Sequence, residues 1–82
     1  MLEIRFKKQA TKELKRIQPK TRQRILDAIE KLAEDPARTY LDIKPLEGST
    51  DYRLRVGSYR IVYDQDGTIL EIKRIAPRGS AY

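Results

Sequence analysis

Arg53, Arg55, Arg60 and Lys73 are the residues of this chain whose types and spacing could do chemistry. From Tyr52 to Tyr63 apolar or aromatic residues alternate with others, and Arg53, Arg55 and Arg60 fall at the alternate positions. Successive side chains of an extended strand point to opposite faces, so these arginines share one face. Like charges opposite one another destabilise a sheet, so a stack of cations there needs a reason. Ordinary solvated charge is one; an anion-binding surface is the other. Arginine suits the second, because its planar fork grips a phosphate through two hydrogen bonds and stays charged at any cellular pH.

The rest of the composition narrows the chemistry. With no Cys and no His, the chain offers no thiolate nucleophile, no imidazole base and no thiolate metal site. The acidic residues are scattered without the spacing of a two-metal site. No metal and no cofactor is expected. Eighteen Lys and Arg against twelve Asp and Glu give +6, which favours polyanionic partners. The excess is uneven: residues 1–24 carry a net +7, residues 25–50 a net −3, and residues 51–82 a net +2. The opening MLEIRFKKQATKEL has no apolar core of a signal peptide, so a cytoplasmic protein is the expectation.

The elements that must position these cations can be read from hydrophobic period. Leu2, Ile4 and Phe6 alternate with Glu3 and Arg5, a half-buried strand. Ala10, Leu14 and Ile17 then recur at helical spacing as far as Pro19, which stops one helix and can begin the next. The second helix, about Lys20 to Ala33, carries the stripe Ile25, Leu26, Ile29, Leu32 and Ala33 and ends at Asp35-Pro36. Residues 37–51 show no clean period; Leu41, Ile43 and Leu46 are expected only to tether this segment to the core. Three strands follow, joined by Gly57-Ser58 and Asp66-Gly67 as two-residue hairpin turns. The chain at 82 residues supports one domain, 1–82. Its expected fold is α+β, in the order β-α-α-β-β-β, with a two-helix hairpin on one face of a small, mainly antiparallel sheet.

The turns also predict a register. The first pairs Val56 with Tyr59, Arg55 with Arg60, Leu54 with Ile61 and Tyr52 with Tyr63. The second, if a two-residue loop, pairs Tyr63 with Leu70, Ile61 with Ile72 and Arg60 with Lys73; a four-residue loop would shift these partners by two and leave the faces unchanged. The helices should bury Tyr52, Leu54, Val56, Tyr59, Ile61, Tyr63, Leu70 and Ile72. Arg53, Arg55, Arg60 and Lys73 would then lie on the other face with Val62 and Glu71. The period breaks at Ile75, which a bulge, or burial of both faces near the end, would explain. Pro77 should end the last strand, leaving Arg78 and Tyr82 just beyond it.

The run Lys44-Pro45-Leu46-Glu47-Gly48, followed by Tyr52-Arg53-Leu54-Arg55-Val56-Gly57-Ser58-Tyr59-Arg60-Ile61-Val62-Tyr63, resembles the signature of the RelE/ParE toxin superfamily. The closing Ile75-Ala76-Pro77-Arg78-Gly79-Ser80-Ala81-Tyr82 is similar to that family's ending, with Pro77 where a His is frequent. The basic pair on the first strand of the meander is arginine here, where RelE itself often has lysine. The resemblance covers the whole chain and implies a RelE-like, microbial ribonuclease-type fold.

It also implies a function: the toxin of a type II toxin–antitoxin system, a metal-independent endoribonuclease that cuts mRNA in the ribosomal A site. The implied catalytic set is Arg53, Arg55, Arg60, Arg78 and Tyr82, with Arg53, Arg55, Lys73 and Arg74 in contact with RNA. The implied partners are the 70S ribosome, its mRNA, and an acidic, partly disordered antitoxin that would carry the complex to operator DNA. The first helix and the open sheet face are where that antitoxin would dock. Other members of the superfamily poison DNA gyrase, and an inactive homologue acting only through antitoxin or nucleic-acid binding is a third outcome.

Overall fold

The computed structural model describes residues 1–37 and 41–77. A short strand, β1 (Glu3–Phe6), leads into α1 (Lys8–Lys15) and α2 (Pro19–Glu34). Four strands follow: β2 (Asp42–Pro45), β3 (Tyr52–Val56), β4 (Tyr59–Asp66) and β5 (Ile69–Pro77). They form one sheet in the order β1-β5-β4-β3-β2, parallel between β1 and β5 and antiparallel elsewhere. The two helices lie against one face, giving the two-layer α+β arrangement. Among the described residues no helix is long and apolar enough to cross a membrane.

The core is built from the predicted stripes. Ala10 of α1, Ile17 of the joint, and Ile25, Ile29, Leu32 and Ala33 of α2 meet Leu54, Ile61, Tyr63, Leu70, Ile72 and Ile75 of the sheet. Eight Ile and Leu side chains among them are fully buried, each worth about 1.5–3 kcal/mol relative to exposure. An eight-residue helix is marginal alone. Arg22 of α2 holds α1 in place by donating to the carbonyls of Ile17 (2.9 Å), Leu14 (3.2 Å) and Lys15 (3.4 Å). Leu14 and Lys15 lie in the last turn of α1 and Ile17 in the joint after it, and a cation near a helix C-terminus also suits the helix dipole.

The first hairpin has the predicted register, from Val56–Tyr59 to Tyr52–Tyr63. The second departs from the two-residue Asp66-Gly67 register and up to Tyr63 shows the partners shifted by two. Asp66 still pairs with Ile69, so the turn is Gly67-Thr68 rather than Asp66-Gly67. Tyr63 faces Ile72, Ile61 faces Ile75, and Arg60 faces Ala76 instead of Lys73. The cause is backbone conformation. Only glycines have positive φ among the described residues, Gly57 at 58° and Gly67 at 61°. Each is the first of two loop residues, the arrangement of a type II′ turn, and Asp66 stays in the strand. The bulge expected near the end of the last strand lies opposite Val62/Tyr63 and leaves Lys73 as the extra residue. That extra residue returns Ile75 to the buried face.

Two further corrections concern the sheet. Residues 42–45, expected to be without regular structure, form the edge strand β2 against β3. Of the three expected tethers, Leu41 and Ile43 pack against the core, and Leu46 is not among the residues that do. Tyr52, expected to be covered by the helices, is 40% exposed, and stacks on Tyr63 with ring centroids 5.6 Å apart. It stands near the rim of the sheet, opposite Pro45 of the edge strand.

Candidate nucleic-acid interface

The face of the sheet turned away from the helices carries two adjacent cross-strand rows. The register aligns Asp42, Arg55, Arg60 and Ala76 in one, and Lys44, Arg53, Val62 and Arg74 in the next. Strand alternation and the Gly57-Ser58 turn therefore bring Arg53, Arg55 and Arg60 together as predicted. Arg55 and Arg60 are directly opposite each other. Arg55 is exposed and has no ion-pair partner among the described residues. Arg60 is half-buried, with its Nε atom enclosed. Val62 and Ala76 are buried on this face, opposite Arg53 and Arg60 in register, where arginine stems cover apolar surface while the heads stay polar.

Arg53 differs from its neighbours. It is the buried charged residue of the described chain, 9% exposed, and a terminal guanidinium nitrogen donates to Asp42 Oδ1 at 3.1 Å. Asp42 itself is half exposed.

Lys73 and Arg74 are committed to carboxylates. Lys73 Nζ donates to Asp51 Oδ1 at 2.8 Å, and that hydrogen bond holds the ammonium above its ordinary pKa. Arg74 places Nε and a terminal nitrogen on Glu13 of α1 at 2.9–3.2 Å. The backbone N–H of Ile75 donates to Glu13 Oε1 at 2.8 Å. The reason is topological. β1 pairs with β5 only as far as Ile72, and beyond it β5 has an unpaired edge that Glu13 closes. Burial alone would raise the Glu13 carboxyl, but the hydrogen bonds from Arg74, Ile75 and Gln9 outweigh it and lower the pKa. Arg78 and Tyr82 lie outside the described residues.

Among the described residues the cationic face is a strand surface on which Arg55 is exposed. A concavity of about 280 Å³ lies elsewhere, between the end of α1 and the sheet, lined by Glu13, Arg16, Ile17, Tyr59, Ile75 and Pro77. Among the described residues no group of three acidic side chains could hold a metal ion. What the open face can do chemically is collect the charge of a phosphodiester chain.

The family model for the ParE toxin of type II toxin–antitoxin systems matches residues 4–82. The chain belongs to the RelE/ParE toxin superfamily. It is 33% identical over 84 residues to Toxin RelE3 of Methanocaldococcus jannaschii, covering 99% of this chain and 96% of that protein. A chain of the archaeal RelE–RelB complex from Pyrococcus horikoshii superposes with a TM-score of 0.79 at 29% identity, covering 98% of both. A chain of the RelB–RelE antitoxin–toxin complex from Methanococcus jannaschii gives 0.77 at 33% identity, covering 98% of this chain and 93% of that one. The Escherichia coli RelBE complex, at 0.80 and 18% identity, shares the fold. This is a RelE-family toxin of the type II toxin–antitoxin class.

Within this RelE-like frame the sequence missed the acidic partners. Asp42 was hidden because β2 is only four residues long; the alternation Asp42-Ile43-Lys44 was its sole signal. Glu13 reads as one more charge on an amphipathic helix, and nothing local marks it as the closure of a strand edge 62 residues away.

Proposed function

We propose that this toxin is a ribosome-dependent, metal-independent endoribonuclease that cleaves mRNA in the ribosomal A site and so stops translation. The observation that carries this reading is the opposed pair Arg55 and Arg60, with Arg53 in the adjoining row, on an open sheet face. The reaction needs little else from the protein. The 2′-hydroxyl of a ribose attacks the adjacent phosphorus, the P–O5′ bond breaks, and the products are a 2′,3′-cyclic phosphate and a 5′-hydroxyl. One proton leaves the 2′-oxygen and one arrives at the 5′-oxygen. Arg60 and Arg55 clamp the phosphate and stabilise the dianionic phosphorane, and Arg53 assists. Preorganised donors of this kind are each worth ~10²–10³ in rate.

Arg78 serves the leaving 5′-oxygen, and Tyr82 stacks on a base or approaches the 2′-hydroxyl. Arginine is a poor general base, since its pKa exceeds about 12. The first proton is therefore taken by Tyr82, or the rate comes chiefly from charge stabilisation and alignment in the ribosome. Lys73 and Arg74 support flanking phosphates. An acidic antitoxin segment covering the same cationic face, and α1 beside it, would silence the enzyme in the cytoplasm and carry the complex to operator DNA. The RelB-bound relatives and the net charge support such a partner.

The test is translation in vitro on a defined mRNA, with primer extension across the decoding site. Wild-type protein should cut within the A-site codon, and Arg60→Ala should not, while melting cooperatively like wild type. Normal cleavage by Arg60→Ala would remove the mechanism. The match to the ParE family model favours a second target, DNA gyrase. Trapped gyrase–DNA cleavage complexes together with intact mRNA would establish that reading instead.

A further inference from the structure

Asp42 is the one acidic residue in the two rows that hold the arginine cluster, and it stands in register opposite Arg55 while bonding Arg53. A carboxylate is out of place on a surface meant to gather phosphates, because it cancels charge where charge is wanted. Its geometry gives the reason. The Arg53 side chain is only 11% exposed, so its guanidinium has lost most of its water. A guanidinium has five N–H donors. One terminal nitrogen of Arg53 is tied to Asp42, and among the described residues the Arg53 side chain has no other hydrogen-bond partner. None of its nitrogens is sealed from solvent without a partner. Arg53 is thus a largely buried cation with one corner of its guanidinium anchored on Asp42.

From this, and resting on the nuclease reading above, we propose that Asp42 is a positioning residue that fixes the Arg53 fork toward the scissile phosphate. It has two effects of opposite sign. Its charge opposes RNA binding, and its hydrogen bond aligns the donor that serves the transition state. A carboxylate kept for stability alone would not separate these two.

The experiment uses the full-length toxin and its Asp42→Asn variant. A 2′-O-methyl RNA pentanucleotide reports binding, and ribosome-programmed mRNA reports cleavage. Asp42→Asn should bind the pentanucleotide about two- to fivefold more tightly, the effect of removing one charge some 7 Å away in water. Its cleavage rate constant should fall about tenfold, less than the loss of a whole transition-state donor. In an Arg53→Ala background Asp42→Asn should cost no further rate, because a residue acting through another is silent once that other is gone. Arg53 side-chain N–H signals in NMR spectra should be those of a held guanidinium in wild type and of a freely rotating one in Asp42→Ala. Unchanged cleavage by Asp42→Asn overturns the proposal, as does an equal loss in both backgrounds. If wild type cuts no mRNA, the nuclease reading fails on its own. Weaker or equal pentanucleotide binding by Asp42→Asn, or unaltered Arg53 signals in Asp42→Ala, then overturns the Asp42 proposal independently.

Discussion

Replacing Glu13 with alanine should cost the fold about 1–4 kcal/mol, although Glu13 is a charged residue on a short helix. Two terms make up the figure. The N–H of Ile75, a residue 1% exposed, loses its acceptor, and an unsatisfied buried donor costs ~1–3 kcal/mol. The fork of Arg74 loses its partner as well, and because its side chain is 39% exposed that term is at most about 1 kcal/mol. A domain of this length has a total stability of roughly 4–12 kcal/mol. At ~4–8 °C per kcal/mol, Glu13→Ala should melt about 4–32 °C below wild type. Glu13→Gln keeps an acceptor for Ile75 and loses only the charge, so it should cost about 1 kcal/mol.

The pH dependence is a second, sharper arm of the same test. The folded state holds the Glu13 carboxyl below its ordinary 4.5. Its charge therefore contributes fully above that value and is lost as pH falls through the lower, folded-state pKa. Urea melts of wild type and Glu13→Gln should differ by a constant amount near neutrality, and the gap should close below pH 4.5. A Glu13→Ala melting point within about 2 °C of wild type would refute the edge-closure argument. A gap that stayed open in acid would refute the electrostatic one.

Burial, with Tyr52 beside it, pushes the Tyr63 hydroxyl up to about 12 from an ordinary 10.0. The unfolded chain ionises first, so stability is whole below pH 10 and falls toward pH 12; alkaline melts of Tyr63→Phe should lack about 2–3 kcal/mol of that fall. Arg22→Ala removes the bonds to the α1 carbonyls and should cost about 1–2 kcal/mol, read as faster amide exchange across residues 8–17. Gly57→Ala meets only ordinary contacts with Arg24 but must adopt a φ of 58°, at a cost of about 1–2 kcal/mol in thermal melts.

Where sequence and structure agree, the signal was local. Alternation and the Gly57-Ser58 turn set the first hairpin, and with it the opposition of Arg55 and Arg60. Where they part, the second turn differs by a local backbone conformation and the remaining departures by non-local pairing. At the second hairpin the expected turn Asp66-Gly67 gives way to Gly67-Thr68, since Gly67 takes the positive φ and Asp66 pairs with Ile69. The strand Asp42–Pro45 has too few residues to show a period and is made a strand by pairing with β3. Glu13 could not be assigned its task without knowing that β5 outruns β1. The cations of the site were legible, and the carboxylates that restrain them were not.

Those carboxylates change what the net charge means. On a count of +6, every lysine and arginine is equally available to a polyanion. The structure ranks them instead. A phosphate approaching Lys73 must displace a 2.8 Å bond to Asp51, whose side chain is only 17% exposed, and one approaching Arg74 must undo the closure of a strand edge. Exchanging one anion for another returns little free energy, and at Arg74 it also exposes a backbone donor. Arg55 has no such bond to surrender, so an arriving phosphate gains the whole interaction there. RNA contact should therefore concentrate at the end of the sheet nearest the Gly57-Ser58 turn and fade toward the bulge. The outer-face cations nearest the bulge, Lys73 and Arg74, then serve the fold first and the ligand second.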